Sequence, residues 1–248
     1  ILASAANDGR VLLWDVESLR QRSVIDTGDR ALSDARFSPD GRKLVIASLS
    51  GPVRLWEIAA GSALSTIDAR TDSAVFTPSG DGIVTVAGSR WTGNDPGTKT
   101  VRRWTLEGEE PAQVYGEAVA SFSHHSNRVE ISGDRRLLLS AGGRSQLYDF
   151  AGGELLFELP DEDMTDAVFT PDGASVLAGF RSGQLREYDL LTNRLVRTEN
   201  AHARFIEGIT FGPEGERVYT ISADATLQVR SYPEMELLGT AVAGAENE

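Results

Sequence analysis

A chain of 248 residues, 40% hydrophobic and 25% charged, has the composition of a folded globular protein and is long enough for one large all-β domain or two ordinary ones. A formal charge of −13 argues against a general nucleic-acid binder, which works through clustered Lys and Arg, and the absence of cysteine excludes disulfides, thiolate metal sites and a cysteine nucleophile. No apolar run reaches the roughly 18 residues of a membrane span, so neither nucleic acid nor membrane is expected as a partner.

The chain begins on Ile1 rather than Met and has no basic n-region ahead of Leu2–Ala6, so it reads as a fragment without a signal peptide. With no cysteine, the expected localisation is cytoplasmic. The basic residues are 22 Arg and 2 Lys, a bias that suggests a GC-rich, bacterial genome. Residues 105–166 hold 13 acids against 4 bases and form either a solvated acidic surface or a docking surface for a basic partner.

The apolar runs repeat along the chain. VLLWDV (11–16), VRLWEI (53–58), VRRWTL (101–106), SQLYDF (145–150), LREYDL (185–190) and LQVRSY (227–232) align on Trp14, Trp56, Trp104, Tyr148, Tyr188 and Arg230, at spacings of 42, 48, 44, 40 and 42. Ahead of them stand ARFSPDG (35–41), AVFTPSG (74–80), VEISGDR (129–135), AVFTPDG (167–173) and ITFGPEG (209–215). Between the two series lie apolar runs such as KLVIAS (43–48) and SVLAGF (175–180), and a fourth short run such as ALSTI (63–67) closes each unit. Ser38-Pro39-Asp40-Gly41 and its repeats have the residue order of a type I turn, in which Pro fixes φ at the second position and Gly closes the fourth. Asp8-Gly9 has the residues of a tight primed hairpin turn. Each unit thus predicts four antiparallel strands.

Recurring five times, this SPDG-then-LWD pattern resembles the Trp-Asp (WD) repeat β-propeller family over essentially the whole chain. The resemblance implies four-stranded blades set radially about a channel, with the third-strand aromatic filling the gap between neighbours. It also implies a hydrogen-bonded set of His, Ser or Thr, Asp and Trp, which no unit carries in full. The last unit has His202, Ser222 and Asp224 at matching positions, with Arg230 where the Trp would stand. His202 is expected to be a structural donor to Asp224.

The expected layout is one all-β propeller over 1–242. Residues 1–24 form a partial first blade lacking its innermost strand, and further blades follow at about 25–67, 68–115, 116–159, 160–199 and 200–242. About six blades are then present, with seven expected in the complete protein and a six-bladed ring closed by one added strand as the alternative. The upstream part of the same polypeptide would complete the ring. The tail 243–248 lacks strand character and reads as a chain end.

No convergent reactive set appears: there is no GxSxG, HExxH or phosphate loop, and the adjacent His124 and His125 lack a partner at metal-ligand spacing. No enzyme, cofactor or metal is therefore expected. Two links exceed the minimal repeat, at 89–99 and 116–128, and by the resemblance both open on one face. They supply Arg90, Trp91, Asn94, Asp95, Lys99, Phe122, His124 and His125 as a candidate site for a protein or peptide partner, against the alternative of neutral loop drift. The function expected is a non-catalytic interaction scaffold. Its alternative is a sensor or substrate-recruiting domain of a larger bacterial signalling or effector enzyme, with the catalytic domain upstream.

Overall fold

The computed structural model describes residues 1–242 apart from 16–17, 19, 70, 89–97, 107–110, 120–127, 133–135, 141–144 and 160–162. The first sheet has three strands, β1 (Leu2–Ala5), β2 (Arg10–Asp15) and β3 (Arg20–Asp26). Five four-stranded sheets follow, each antiparallel and in chain order. They are β4 (Leu32–Phe37), β5 (Lys43–Ser48), β6 (Val53–Glu57) and β7 (Ser62–Ile67), then β8 (Ser73–Phe76), β9 (Gly82–Gly88), β10 (Thr98–Thr105) and β11 (Gln113–Val119). Next come β12 (Arg128–Ile131), β13 (Arg136–Ser140), β14 (Ser145–Asp149) and β15 (Leu155–Glu158), and β16 (Met164–Phe169), β17 (Ser175–Phe180), β18 (Gln184–Asp189) and β19 (Arg194–Asn200). The last sheet is β20 (Ile206–Phe211), β21 (Arg217–Ser222), β22 (Thr226–Ser231) and β23 (Leu237–Val242). The fold is thus an all-β propeller with five four-stranded blades and one three-stranded sheet.

Burial explains the arrangement. β5 and β17 are apolar on both faces, and apart from the half-buried Lys43 every residue of the two strands is buried. A sheet in that state needs a neighbour on each side. Each of the five described core clusters accordingly lies between two consecutive sheets. Val11, Leu13 and Ile25 of the first sheet meet Leu44 and Ile46 of the second, whose opposite face sends Val45 and Leu55 against Ala74, Phe76 and Trp104 of the third. The same seam recurs at Val84, Tyr115 and Tyr148, at Leu147, Phe169 and Tyr188, and at Leu177, Ile209 and Val218.

The two ends of this array differ from its middle. In β21 burial alternates: Val218, Thr220 and Ser222 are buried against the preceding sheet, while Ile221 on the other face is 46% exposed. In the first sheet Leu2 and Val24 are exposed on the face opposite Val11 and Leu13, and Leu12 and Trp14 beside them are half-buried. Among the described residues no extensive packing joins β20–β23 to β1–β3.

The third-strand aromatics fill the seams as the repeat predicts, with one difference. Trp104, Tyr148 and Tyr188 are buried, whereas Trp14 and Trp56 are half-buried. Trp14 lies on the open face of the first sheet, and Trp56 packs against that sheet, which has no innermost strand to complete the cover.

The polar edge of each ring depends on one register position. Trp104 pairs with Ile83, and its Nε1–H donates at 2.9 Å to Thr85, two residues further along β9. Trp14 pairs with Leu2 and donates at 2.9 Å to Ser4. Trp56 pairs with Leu44, but the residue two further along is Ile46, which offers no acceptor, and the buried Nε1–H has no partner among the described residues. Thr85→Val keeps the shape at Trp104 and removes the acceptor. Chemical denaturation should show a loss of about 1–3 kcal/mol, the cost of stranding a buried donor.

Candidate functional site

In a four-stranded antiparallel blade, the link between the second and third strands and the link from the fourth strand to the next blade leave from the same end. At this end, among the described residues, backbone hydrogen bonds tie neighbouring links together. The Gly9 carbonyl in the β1–β2 turn accepts the Thr27 N–H of the link leading into β4, and the Ala31 N–H of that link donates back to Asn7. The Leu49 N–H beyond β5 then donates to Ala31. On the other side of the ring, Arg181 N–H donates to Asp163, Gly183 accepts from Ala201 and His202, and Ala223 donates to Phe205.

This close passage, rather than the turn alone, requires glycine at positions 9 and 183. Both have positive φ, +90° and +81°, and a Cβ would lie 1.8 Å from the Asp29 carbonyl oxygen at Gly9 and 2.1 Å from that of His202 at Gly183.

Side chains lock the rim differently at two of the blades. On the link into β4, the Asp29 carboxylate accepts from Arg54 Nε at 2.5 Å, with both side chains largely covered. On the link into β20, His202 has no exposed side-chain surface. Its Nδ1–H faces Asp224 Oδ2 at 3.2 Å and Thr226 Oγ1 at 2.9 Å, and its Nε2 accepts from the Thr220 hydroxyl at 2.8 Å. His202 is therefore hydrogen-bonded to Asp224, as expected. The hydroxyl partner is corrected: Thr220 takes the place given to Ser222, whose own Oγ donates to the Phe205 carbonyl at 2.9 Å. Ser222 pairs with Ile206 at the end of β21, too far along the strand, whereas Thr220 holds the position that Thr85 holds beneath Trp104. Arg230, where Trp stands in other blades, is buried and donates to Gln228 Oε1 and the Met235 carbonyl.

Burial pushes the His202 imidazole below its ordinary value of 6.5 against the opposing pull of Asp224, so the neutral ring is the folded form. Burial alone would raise the Asp224 carboxyl, but hydrogen bonds from Thr226 and the Ala203 N–H hold it well below the carboxylate range. Both ring nitrogens of His202 are engaged, which leaves it no role as a general base. Among the described residues no three His, Cys, Asp or Glu side chains gather as a metal site.

Of the residues singled out from the sequence, Lys99 lies in β10, where its backbone pairs with Gly88 and Ala118. Arg90, Trp91, Asn94, Asp95, Phe122, His124 and His125 lie outside the described residues, as does the tail 243–248. The strand pairing still fixes where their links begin. Thr98 pairs with Val119 and Lys99 with Ala118, so the two long links leave from adjacent strands at the rim end. The Asp29–Arg54 pair was not singled out; its only sequence signal is an Arg two residues ahead of the third-strand aromatic, shared by Arg54, Arg102 and Arg186.

No family model matches the chain. It is 24% identical to the target of rapamycin complex subunit wat1 of Schizosaccharomyces pombe, over 96% of the chain and 76% of that protein. It is 28% identical to a WD repeat-containing protein of Deinococcus radiodurans, over 77% of each. It is 23% identical to nuclear distribution protein nudF of Emericella nidulans over 88% of the chain, which spans 43% of nudF.

The His202 set has a pH signature. The unfolded chain takes up a proton near pH 6.5 that the buried ring resists, so the stability of the neutral ring is complete above that value and declines as pH falls below it. The decline is at most about 1.4 kcal/mol per pH unit. Denaturation midpoints compared at pH 7.5 and 5.5 should fall less in His202→Gln than in the native chain.

Proposed function

Because this chain is a β-propeller of the WD-repeat type, we propose that it is a non-catalytic interaction module that binds a protein or peptide through the rim face around residues 89–99 and 116–128. The observation that carries the reading is the pairing of Thr98 with Val119, which starts both long links from adjacent strands. A rigid scaffold with long links at one end is the usual way for loops to present a binding surface. Trp91 is the energetic centre of the proposed patch, because aromatic anchors carry most interface energy, and Arg90, Lys99, His124 and His125 tune it. That wat1 is by name a subunit of a complex agrees with this reading.

A second reading is favoured by one observation, that the chain spans less than half of nudF. The propeller is then the recruiting or sensing part of a longer polypeptide, whose effector domain lies elsewhere. In either reading the exposed apolar faces at Leu2 and Ile221 are surfaces for further blade material, in a ring of seven blades or, as the alternative, of six closed by one added strand.

The test begins with proteins captured from cell extract on the immobilised chain and then titrated calorimetrically. Trp91→Ala should weaken binding by at least about 2 kcal/mol, roughly 30-fold, with the melting temperature kept, and Lys99→Ala should flatten the salt dependence. Normal binding with early unfolding in Trp91→Ala would place that side chain in the core and overturn the reading.

A further inference from the structure

Three outer strands carry the same short pattern at the same register. Glu154-Leu155-Leu156, Arg194-Leu195-Val196 and Glu236-Leu237-Leu238 stand where the third strand hands over to the fourth, with Leu155, Leu195 and Leu237 paired to Tyr148, Tyr188 and Arg230. In each strand the next residue is a bulge, which has no partner on the neighbouring strand. All six apolar side chains are about half exposed, and in β15 and β19 this holds although their sheets are covered on both faces. The equivalent residues are Arg20, Gln21 and Arg22 in β3 and Ser62, Ala63 and Leu64 in β7, so the exposed apolar pair is not a requirement of the repeat.

The turns leading into β15 and β19 correspond residue for residue. Asp149 to Leu156 matches Asp189 to Val196, and Gly153 and Asn193 take positive φ at the same place. At the tip Ala151 stands where the other turn has Leu191, which at 93% exposure is the most exposed large apolar side chain among the described residues. Leu191 is held firmly nonetheless. The Asp189 carboxylate accepts the N–H groups of Leu191 and Thr192, and Asn193 Nδ2 donates at 3.3 Å to the Glu158 carbonyl of β15, which ties the turn to the neighbouring blade. Beside these apolar groups Glu154 and Arg194 are exposed, and among the described residues neither forms an ion pair.

We propose that this corner of the two blades is a self-association surface, occupied by the same corner of a second copy about a two-fold axis that passes between β15 and β19. Such an axis sets each of the two blades against the other blade of the second copy. Leu155 and Leu156 then meet Leu195 and Val196 of the second copy, Glu154 meets Arg194, and Leu191 lies over the small Ala151 and Gly152, each contact being made twice. Charge selects this arrangement. Glu154 and Arg194 hold equivalent positions with opposite sign, so an axis between the blades pairs unlike charges, whereas an axis through either blade would set Arg194 on Arg194 or Glu154 on Glu154. Area agrees with it. Leu155, Leu156, Leu191, Leu195 and Val196 expose on the order of 400 Å² of apolar surface, the size at which a patch marks an interaction site. Two such patches with their charged flanks approach the roughly 1,000 Å² that a specific interface needs. The corner lies at the end of the blades opposite the rim, so the proposal goes beyond the rim reading and does not depend on it.

Sedimentation equilibrium of the 248-residue chain should show a monomer–dimer equilibrium. Glu154→Arg and Arg194→Glu each place like charges together twice, and each should weaken association at least 10-fold. The double variant E154R/R194E restores both pairs and should associate like the native chain, and an equimolar mixture of the two single variants should form a mixed dimer. Leu191→Asp should also lose association. Because all three side chains are exposed, the unfolding midpoint should stay at its native value in each variant, which separates lost association from lost folding. Association through the exposed faces at Leu2 and Ile221 is indifferent to charge at 154 and 194, so single variants that associate like the native chain would overturn the proposal. A chain that stays monomeric, or a double variant no better than the single ones, would overturn it equally.

Discussion

A β-sheet that is apolar on both faces cannot shield itself, and that constraint governs this molecule. Interior strands such as β17 bury every residue, including Leu177 on one face and Val176 and Ala178 on the other, but only because a sheet lies on each side. The described core clusters fall between sheets, so stability is a sum over seams and each blade depends on its neighbours. The third-strand ring at the first four seams, and Arg230 at the fifth, closes the gap that two pleated faces leave. Where the neighbouring sheet is short of a strand, the same ring is left half-covered, as at Trp56.

Much of this pattern could be read from the sequence because its causes are local. KLVIAS and SVLAGF coincide with β5 and β17, since a short apolar run between turn signals has few other conformations to adopt. Ser38 and Thr170 hydrogen-bond the acids of their own turns, Asp40 and Asp172, as the repeated Pro-Asp-Gly order implies. The features that could not be read depend on what passes nearby in space. Gly183 carries no mark in the sequence, because its constraint is the His202 carbonyl of the next link. Ser222 matches the family spacing, but register places Thr220 beneath the imidazole, and two residues along a strand is one full pleat repeat. The Asp29–Arg54 pair joins residues 25 apart that nothing in the chain order connects. Of the candidate site, the sequence marked the long links, and the pairing of Thr98 with Val119 shows only that they start from adjacent strands.

The polar groups at the rim show the same geometric need met by different chemistry. One blade anchors its entering link with an Asp–Arg pair and another with a His held between Asp, Thr and Thr. At the Trp position, Trp104 donates to Thr85, Tyr148 donates to Gln146, and Arg230 donates to Gln228 and a backbone carbonyl. What stays constant is a covered donor with an acceptor in reach; Trp56, facing Ile46, is the exception. The repeat therefore preserves backbone register more strictly than side-chain identity, which lets the rim vary in charge and shape without loss of the fold.

If the seams hold the molecule together, protection should follow the number of covered faces. Amide hydrogen exchange under native conditions tests this most directly, read strand by strand. β5 and β17, each between two sheets, should open only with the highest free energies, and β1, covered on one face and unpaired at its inner edge, should exchange orders of magnitude faster. Protection in β1 equal to that in β17 would contradict the dependence on seams.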